Sequence, residues 1–412
     1  MGGILGVRAF GQGMDKWRVS PFMRYGLMGL QHRGYQGAHM ATYDGSTIGT
    51  ASADDADGLD VNLPGHAGVG AVISGRDSWF VAESGIAVVG DGAPDVGWTR
   101  FVASLRVALS SGDPAEAVSE LVERSGGFYS FVALSGDGLM VAARDVRGSL
   151  PLEVGSMGFD MGAVASESSA LEVMGFDHVG PLRPGEVLLM GPTEVERRNA
   201  SRGDPLRCSF EYVYMARHDS VIDGIPVYSV RERIGELLAE EAPADADVVI
   251  GVPETSLPVA AGYSRRSGIP LAFGFVSSVG RVRTAGLQSA LERMVGVQLK
   301  LNVIGSSVDG RDVVLVDDSV VRGTTLRNVV WNMRRKGARR IHVRIGSPPL
   351  AGGCPLGRVP QRDELISSDI SEDVIASVIG ADSVRFLSAD GLRRAVSADG
   401  LCAACWKGGV AH

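Results

Sequence analysis

Two short, continuous runs of apolar residues mark the second half of the chain. One is "VVIG" at 248–251 and the other is "VVLV" at 313–316. Runs of this length are typical of strands that are buried on both faces of a parallel sheet. Each is followed by a polar loop and a helix-like segment that ends at a glycine, Gly268 or Gly337. The repeated strand–loop–helix order predicts an α/β domain whose ligand loops follow the carboxyl ends of parallel strands.

The first half of the chain has many short apolar stretches separated by turns, which predicts an α+β domain. The segment "MRYGLMGLQHRG" at 23–34 predicts a helix that runs into a turn. The segment at 126–145 predicts a hairpin with its turn at 136–138, "GDG". The polar stretch at 196–207 predicts a boundary, so we divide the chain into domains at 1–200 and 201–412.

Composition and charge narrow the class of protein. The 412 residues are 45% hydrophobic and 21% charged, with a net charge of −8, as in an ordinary globular protein. The negative charge disfavours unspecific binding to nucleic acid. No apolar run is long enough to span a membrane, and no secretory signal is visible, so we expect a cytoplasmic protein that binds no membrane.

The strongest local motif is "VVLVDDSVVRGTT" at 313–325. An apolar strand ends in Asp317 and Asp318, and a loop leads from there into a predicted helix. Backbone N–H groups at such a helix start favour a phosphate dianion, and the acids suit sugar hydroxyls or Mg²⁺. The alternative is a polar turn that only caps the helix. The candidate phosphate ligands in the loop are Ser319, Arg322, Gly323, Thr324 and Thr325.

This segment resembles the phosphoribosyl pyrophosphate (PRPP) motif of type I phosphoribosyltransferases. The resemblance implies that Asp317 and Asp318 hold the ribose hydroxyls, and that the loop from Ser319 to Thr325 holds the 5′-phosphate. One strand upstream, "GVPETS" at 251–256 corresponds to the family's pyrophosphate loop. The candidate pyrophosphate ligands are Glu254, Thr255 and Ser256.

Further motifs extend the resemblance to nearly the whole chain, in the same order as in the amidophosphoribosyltransferase family. They include "GILGV", "LQHRGYQGA", "VASESSAL", "CSFEYVYMARHDSVIDG" and "GSPPL". The family makes phosphoribosylamine from PRPP and ammonia that it releases from glutamine. The resemblance implies an N-terminal nucleophile hydrolase-like sandwich of αββα layers, followed by an α/β type I phosphoribosyltransferase domain with a parallel sheet.

Four positions of the implied glutaminase site differ from the family. Gly2 stands at the place of the nucleophilic cysteine and has no side chain that could attack an amide. Ile73 replaces the arginine that binds the substrate carboxylate, and Ala71 replaces a nearby histidine. Asp91 replaces the asparagine of the oxyanion hole, and its carboxylate would repel an oxyanion. We therefore expect no catalytic residue in this half and no glutaminase activity, with Arg33 kept for structure.

The loop that closes over PRPP in the family corresponds to "SSVGRVRTAG" at 277–286. Ser277 and Ser278 replace a lysine and an asparagine of the family. The family's arginine–threonine pair is kept as Arg283 and Thr284, and Lys300 remains as a cation downstream. Because closing loops assemble a site and exclude water, a changed loop can retain ligand binding and still affect transfer.

The chain has four cysteines, and each falls at a ligand position of the family's iron–sulfur subset. Four thiolates with a C-x-x-C pair suit a [4Fe–4S] cluster or a zinc ion, and four unrelated thiols are the third interpretation. The resemblance favours a cluster with a structural role. The candidate ligands are Cys208, Cys354, Cys402 and Cys405.

Two functions remain open at this point. The first is a phosphoribosyltransferase that uses free ammonia, or an amine delivered by a separate glutaminase, with Mg²⁺ at Asp317 and Asp318. The second is a non-catalytic protein that binds PRPP or a nucleotide and regulates an active homologue. A homo-oligomer, dimer or tetramer, is expected in either case.

Overall fold

The computed structural model describes residues 2–75, 78–83, 85–199, 204–276, 301–354, 359, 362–367 and 370–406. The chain divides into two compact units. The first unit comprises Met1–Cys208, Asp219–Pro226 and Asp399–Cys402, and the second comprises Ser209–His218, Val227–Ala398 and Ala403–His412. Two short segments from the later part of the chain therefore belong to the first unit.

Two antiparallel sheets form the centre of the first unit. The larger has the order β11-β9-β10-β1-β4-β2-β3 and the smaller has the order β13-β12-β8-β7-β6-β5. Their strands are β1 (Gly3–Ala9), β2 (Ala38–Tyr43), β3 (Ile48–Ala53), β4 (Ala67–Val72), β5 (Ser78–Glu83), β6 (Ile86–Ala93), β7 (Phe128–Ser135), β8 (Met140–Arg144), β9 (Glu153–Met157), β10 (Met161–Ala165), β11 (Asp177–Pro181), β12 (Glu186–Met190) and β13 (Val195–Asn199). The predicted hairpin is confirmed as β7 and β8.

Helices cover the outer face of each sheet. They are α1 (Gly13–Lys16), α2 (Ser20–Gly29), α3 (Trp98–Leu109), α4 (Pro114–Ser125) and α5 (Ser168–Val173). Successive side chains of a strand point to opposite faces, so Ile4 packs between the two sheets while Leu5 packs under α2 and α5. A third core lies between the smaller sheet, α3 and α4. The αββα order predicted for this half is confirmed.

Short pairs of strands and short helical turns complete the first unit. Gln31–Arg33 and Ala56–Gly58 form 3₁₀ turns. The short strands of this part are β14 (Arg207–Cys208), β15 (Val221–Ile222) and β16 (Ile225–Pro226). β15 and β16 pair with each other in an antiparallel arrangement.

A four-stranded parallel sheet forms the centre of the second unit, as predicted, with the order β17-β20-β21-β22. The strands of this unit are β17 (Val248–Gly251), β18 (Phe275–Val276), β19 (Asn302–Val303), β20 (Asp312–Asp317), β21 (Arg340–Ile345) and β22 (Ser383–Phe386). The last strand of the chain, β23 (Leu401–Cys402), pairs in parallel with β14 and belongs to the first unit.

The helices in the described residues of the second unit lie both before and after the strands of its parallel sheet. They are α6 (Val227–Glu241), α7 (Leu257–Ser267), α8 (Gly305–Val308), α9 (Thr324–Arg335), α10 (Glu372–Ile379) and α11 (Ala389–Val396). Glu211–Met215 forms a π-helical turn and Arg362–Glu364 a 3₁₀ turn. Because Gly251 of β17 is the register partner of Val316 of β20, the loops that follow these two strands lie side by side. None of the helices in the described ranges is long and apolar enough to cross a bilayer.

Candidate functional site

The two acids predicted from the sequence lie where β20 ends. Asp318 is buried, with 5% of its surface exposed, and Asp317 is partly buried. The backbone N–H of Asp318 donates a 3.0 Å hydrogen bond to Oδ1 of Asp317, and the Ser319 hydroxyl donates a 2.8 Å bond to Oδ1 of Asp318. The strand end therefore presents two adjacent carboxylates whose orientation is fixed by short-range hydrogen bonds.

The upstream loop contacts the second of these acids. Thr255 donates a hydrogen bond from Oγ1 to Oδ2 of Asp318. Ser256 is fully buried and its hydroxyl donates to the carbonyl of Val252, so it closes the turn. Glu254 is exposed. The structure thus brings the predicted pyrophosphate loop to the predicted ribose-binding acids, and it assigns Ser256 a role in the turn itself.

The environment of the two acids disfavours their charged forms. Burial raises the pKa of Asp317 well above its usual range, and the nearby charge of Asp318 raises it further. Burial also raises the pKa of Asp318, although hydrogen bonds from Thr255 and Ser319 and the charge of Arg231 act to lower it. A cation or a set of hydroxyl donors at this edge would relieve the repulsion between the acids.

The phosphate loop ends at the N-terminus of α9. Gly323 has a left-handed backbone, with φ of 71°, and a Cβ at this position would lie 2.7 Å from Cδ1 of Ile366. Thr324 and Thr325, the first two residues of α9, are exposed. The open helix start and its threonine hydroxyls form a site that suits an anion. Arg322 is exposed and forms an ion pair with Glu364.

The predicted closing loop lies outside the described residues. This holds for Arg283, Thr284 and Lys300, and also for Ser277 and Ser278.

In the first unit, three of the substituted positions fall around the start of β1. The backbone nitrogen of Gly2 donates a 2.9 Å hydrogen bond to Oδ1 of Asp91, which is 1% exposed. Ile73 packs its partly buried side chain against the core between the sheets. Its backbone N–H donates to the carbonyl of Gly37, 2.8 Å away. An apolar side chain and a carboxylate thus stand where the resemblance implies groups that bind a substrate carboxylate and an oxyanion.

The space beside Gly2 is filled. A Cβ on Gly2 would lie 2.5 Å from Oγ of Ser78 and 2.8 Å from both Cβ of Ser78 and the carbonyl oxygen of Val72. Distances below 3.0 Å essentially never occur for a Cβ, so any side chain at this position would displace β1 or its neighbours. The position that the resemblance assigns to the nucleophile therefore has no room for a cysteine side chain in this arrangement.

Comparison with known proteins gives consistent results along the chain. A family model described as "Phosphoribosyl transferase domain" matches residues 227–345. The amidophosphoribosyltransferase of Methanocaldococcus jannaschii is 34% identical, with 99% of this chain and 97% of the relative covered. The amidophosphoribosyltransferase of Pyrococcus horikoshii is 37% identical, with 93% of this chain and 92% of the relative covered. This chain belongs to the amidophosphoribosyltransferase family.

A solved structure agrees with this assignment. Glutamine PRPP amidotransferase from Bacillus subtilis, in complex with ADP and GMP, matches with a TM-score of 0.84 and 31% identity. The match covers 98% of this chain and 96% of that protein. Both halves of the family fold are therefore present in this member of the amidophosphoribosyltransferase family, and the implied fold class is confirmed.

All four cysteines lie in the described ranges of this family member, and no disulfide bond joins any two of them. Cys208 and Cys402 are register partners in β14 and β23 of the first unit. In the second unit, the carbonyl of Cys405 accepts a 2.9 Å hydrogen bond from Ala351, three residues before Cys354. Across the described ranges, no three Cys, His, Asp or Glu residues form a group that could hold a metal ion. The structure therefore places two of the four predicted ligands, Cys208 and Cys402, side by side on neighbouring strands.

Several residues around the two sites were not predicted from the sequence. Glu167 is fully buried and accepts hydrogen bonds from Nη1 of Arg33, at 2.6 Å, and from the hydroxyl of Ser220, at 2.7 Å. Nε of Arg33 also donates to the carbonyl of Gly2, 3.2 Å away. The available signal for these residues was the charged and polar side chains within the motifs "LQHRGYQGA" and "VASESSAL". The sequence does not show which of them pair, because the pairing depends on long-range contacts.

Proposed function

We propose that this member of the family binds PRPP at the loop 317–325 and transfers its phosphoribosyl group to ammonia or another small amine. The observation that carries the proposal is the hydrogen bond from Thr255 to Asp318, which joins the two loops expected to hold the two ends of PRPP. In the reaction the amine nitrogen forms a bond to C1 of the ribose. The bond from C1 to the pyrophosphate oxygen breaks, pyrophosphate leaves with that electron pair, and the nitrogen loses a proton. Holding both reactants in one orientation supplies most of the catalysis that such a site can offer.

The chain has no glutaminase activity under this proposal. An amide hydrolysis of this kind needs a nucleophile, a group that binds the substrate carboxylate and a donor for the oxyanion. None of these three groups is provided by the residues at the corresponding positions, Gly2, Ile73 and Asp91. Ammonia then comes from solution or from a separate glutaminase that acts as a partner.

Mg²⁺ is the metal that fits the acids of this site. Carboxylate oxygens are hard ligands that Mg²⁺ prefers, and it is commonly held by one or two carboxylates together with substrate phosphates. Asp317 and Asp318 are adjacent, and burial raises the pKa of both carboxyls, so a bound cation would stabilise their charged forms. These two residues would hold the ion, and a bound Mg²⁺ would supply positive charge that stabilises pyrophosphate as a leaving group.

A [4Fe–4S] cluster on Cys208, Cys354, Cys402 and Cys405 is proposed on the chemistry of the donor set. The support is four cysteines that no disulfide joins, two of which are register partners in β14 and β23. Absorbance and iron content of anaerobically purified protein test it, with zinc measured in parallel. Broad visible absorbance that is lost in Cys402→Ser supports the cluster, and a colourless protein with stoichiometric zinc or no metal contradicts it.

The proposed transfer is tested by measuring pyrophosphate release from Mg·PRPP with ammonium chloride or with glutamine. We expect turnover with ammonium and none with glutamine, and loss of turnover in Asp317→Asn. Gly2→Cys should not gain glutamine-dependent turnover, because Ile73 and Asp91 remain. PRPP binding without turnover on either nitrogen source would favour the regulatory alternative. Turnover on glutamine by the unmodified chain would overturn the loss of glutaminase activity.

Assembly and location stay predictions. A dimer or tetramer is proposed, and multi-angle light scattering of the purified protein measures the mass that distinguishes them from a monomer. Cytoplasmic location is proposed on the same grounds as before, and fractionation of the source cells would test it.

A further inference from the structure

His218 joins a buried arginine to the main chain of the pyrophosphate loop. Its Nδ1 lies 2.7 Å from Nη1 of Arg231, and its Nε2 lies 3.0 Å from the carbonyl oxygen of Glu254. Both partners belong to the second unit, as does His218. The imidazole is partly buried.

The partners determine which ring nitrogen carries the proton. A guanidinium group can only donate hydrogen bonds, so Nδ1 of His218 accepts from Arg231. The proton of the neutral ring is therefore on Nε2, which donates to the carbonyl of Glu254. The hydrogen bond to the loop thus has a defined direction.

Arg231 is held firmly enough to act as a support. It lies in α6 and is fully buried. Its Nε donates to the carbonyl of Tyr212 and its Nη2 to the carbonyl of Ala216, both at 2.9 Å. These bonds tie the guanidinium to the chain around the π-helical turn, and they leave Nη1 directed at His218.

The bond to Glu254 also orients the next residue. Since a peptide unit is planar and, between Glu254 and Thr255, trans, its carbonyl and its N–H point in opposite directions. When His218 holds the carbonyl of Glu254, the N–H of Thr255 is directed to the other side of the loop. The side chain of Thr255 is held separately by Asp318. The loop is therefore fixed at its main chain and at a side chain by two different contacts.

We propose that His218 is a positioning residue that holds the main chain of the loop 252–256 in the conformation that binds the pyrophosphate group. The inference rests on the proposed binding of PRPP and adds a residue that sets its affinity. The affinity of ligands that carry pyrophosphate depends on His218, whereas the affinity of a ligand that contacts only the 5′-phosphate loop does not.

The test compares the affinities of three ligands by calorimetry in the presence of Mg²⁺. His218→Ala should lower the affinity for PRPP and for inorganic pyrophosphate by about tenfold, as expected for the loss of one hydrogen bond and its support. The affinity for ribose 5-phosphate should change less than about twofold. His218→Phe keeps the bulk of the ring without a donor and should behave like His218→Ala. His218→Gln restores one acceptor and one donor and should recover most of the affinity.

His342→Ala is the matched control. His342 is a partly buried histidine of β21 whose Nδ1 lies 2.9 Å from the hydroxyl of Ser383, and it takes no part in the proposed site. The His342→Ala variant should bind all three ligands with the affinities of the unmodified chain. Equal losses for all three ligands in His218→Ala and His218→Phe, or no loss in either, would overturn the positioning role. If the unmodified chain binds neither PRPP nor pyrophosphate, the proposed function fails together with this inference.

Discussion

The backbone nitrogen of Gly2 and Oδ1 of Asp91 are 2.9 Å apart, in a hydrogen bond between the start of β1 and β6 that is buried. The two residues are 89 positions apart in the chain, and both stand at places that the sequence resemblance assigns to glutamine hydrolysis. Asp91 accepts a hydrogen bond here, whereas the family's asparagine donates one to an oxyanion. A carboxylate is a good acceptor for a backbone N–H and a poor neighbour for an oxyanion, so Asp91 suits a structural contact at this place.

The packing around Gly2 predicts that Gly2→Ala destabilises the first unit. The new methyl group would lie within 2.8 Å of the carbonyl oxygen of Val72 and closer still to the hydroxyl of Ser78. Overpacking of this kind typically costs about 1–3 kcal/mol of unfolding free energy. Chemical denaturation followed by tryptophan fluorescence measures the difference.

Gly112→Ala is the control for that substitution. A methyl group added to Gly112 would have no heavy atom within 4 Å, and the φ of this residue lies outside the left-handed range. The substitution should therefore leave the unfolding midpoint unchanged or raise it slightly. Equal midpoints for Gly2→Ala and Gly112→Ala would contradict the close packing around Gly2.

A second prediction concerns Glu167, which links the start of β1 to the segment 219–226. Its fully buried carboxylate accepts hydrogen bonds from Arg33 and Ser220, and Nε2 of His32 lies 2.7 Å away. Glu167→Gln leaves the buried guanidinium of Arg33 without its counter-charge, which should cost about 3–5 kcal/mol of unfolding free energy. Glu240→Gln, which removes the exposed partner of Arg266, should leave the melting temperature unchanged.

The pH dependence of the Glu167 effect follows from the direction of its pKa shift. Burial acts to raise the pKa of Glu167, but the charges of His32 and Arg33 outweigh burial and hold it well below its usual range. A depressed pKa contributes stability that is fully present above the unfolded value, about 4.3, and is lost as the pH falls towards the folded value. The difference between the unmodified chain and Glu167→Gln should therefore persist at pH 5 and shrink only at more acid pH. A difference that disappears between pH 7 and pH 5 would contradict this account.

The sequence predicted the fold of the second unit and its loop 317–325 more completely than the contacts around Gly2 in the first unit. Parallel strands buried on both faces appear as continuous apolar runs, and the acids and glycine of the loop 317–325 follow such a run directly. These are local features, so strand, loop and helix start could all be recognised. The pairing of Asp91 with Gly2, the filling of that space by Ser78 and the support of the loop by His218 depend on contacts between distant segments. Periodicity and spacing do not encode such contacts.

The assignment of short segments to the two units shows the same limit. Asp219–Pro226 follows the polar stretch at 196–207, yet it packs in the first unit, where Asp223 forms an ion pair with the buried guanidinium of Arg144. The apolar pattern of the segment is too short to indicate its partner. A division drawn from composition alone therefore follows the main change of fold and misses the two short segments, 219–226 and 399–402, that belong to the first unit.

A third prediction tests the contact between the two loops of the PRPP site. Thr255→Val keeps the shape of the side chain and removes the donor to Asp318. Hydrogen bonds to charged groups contribute about 1.5–3 kcal/mol, so PRPP affinity should fall by about tenfold or more. Thr255→Ser keeps the hydroxyl and should bind PRPP nearly as tightly as the unmodified chain. Similar affinities for the valine and serine variants, measured by calorimetry, would show that the contact does not organise the site.

The last prediction uses the pKa values of the two acids. Burial raises the pKa of Asp317 well above its usual range, and the charge of Asp318 adds to the effect. A protonated acid cannot hold Mg²⁺ and accepts hydrogen bonds from ribose hydroxyls poorly, so PRPP affinity should fall with decreasing pH well before the ordinary aspartate range, about 3.9, is reached. Asp318→Asn removes the neighbouring charge, which should lower the pKa of Asp317 and move the acid limb of the binding curve to lower pH. PRPP's own phosphates also titrate, with a second pKa of about 6, but they contribute equally to both proteins, so the shift between the two curves reports the two acids and not the ligand. Superimposable acid limbs for the unmodified chain and Asp318→Asn would contradict the coupling between the acids.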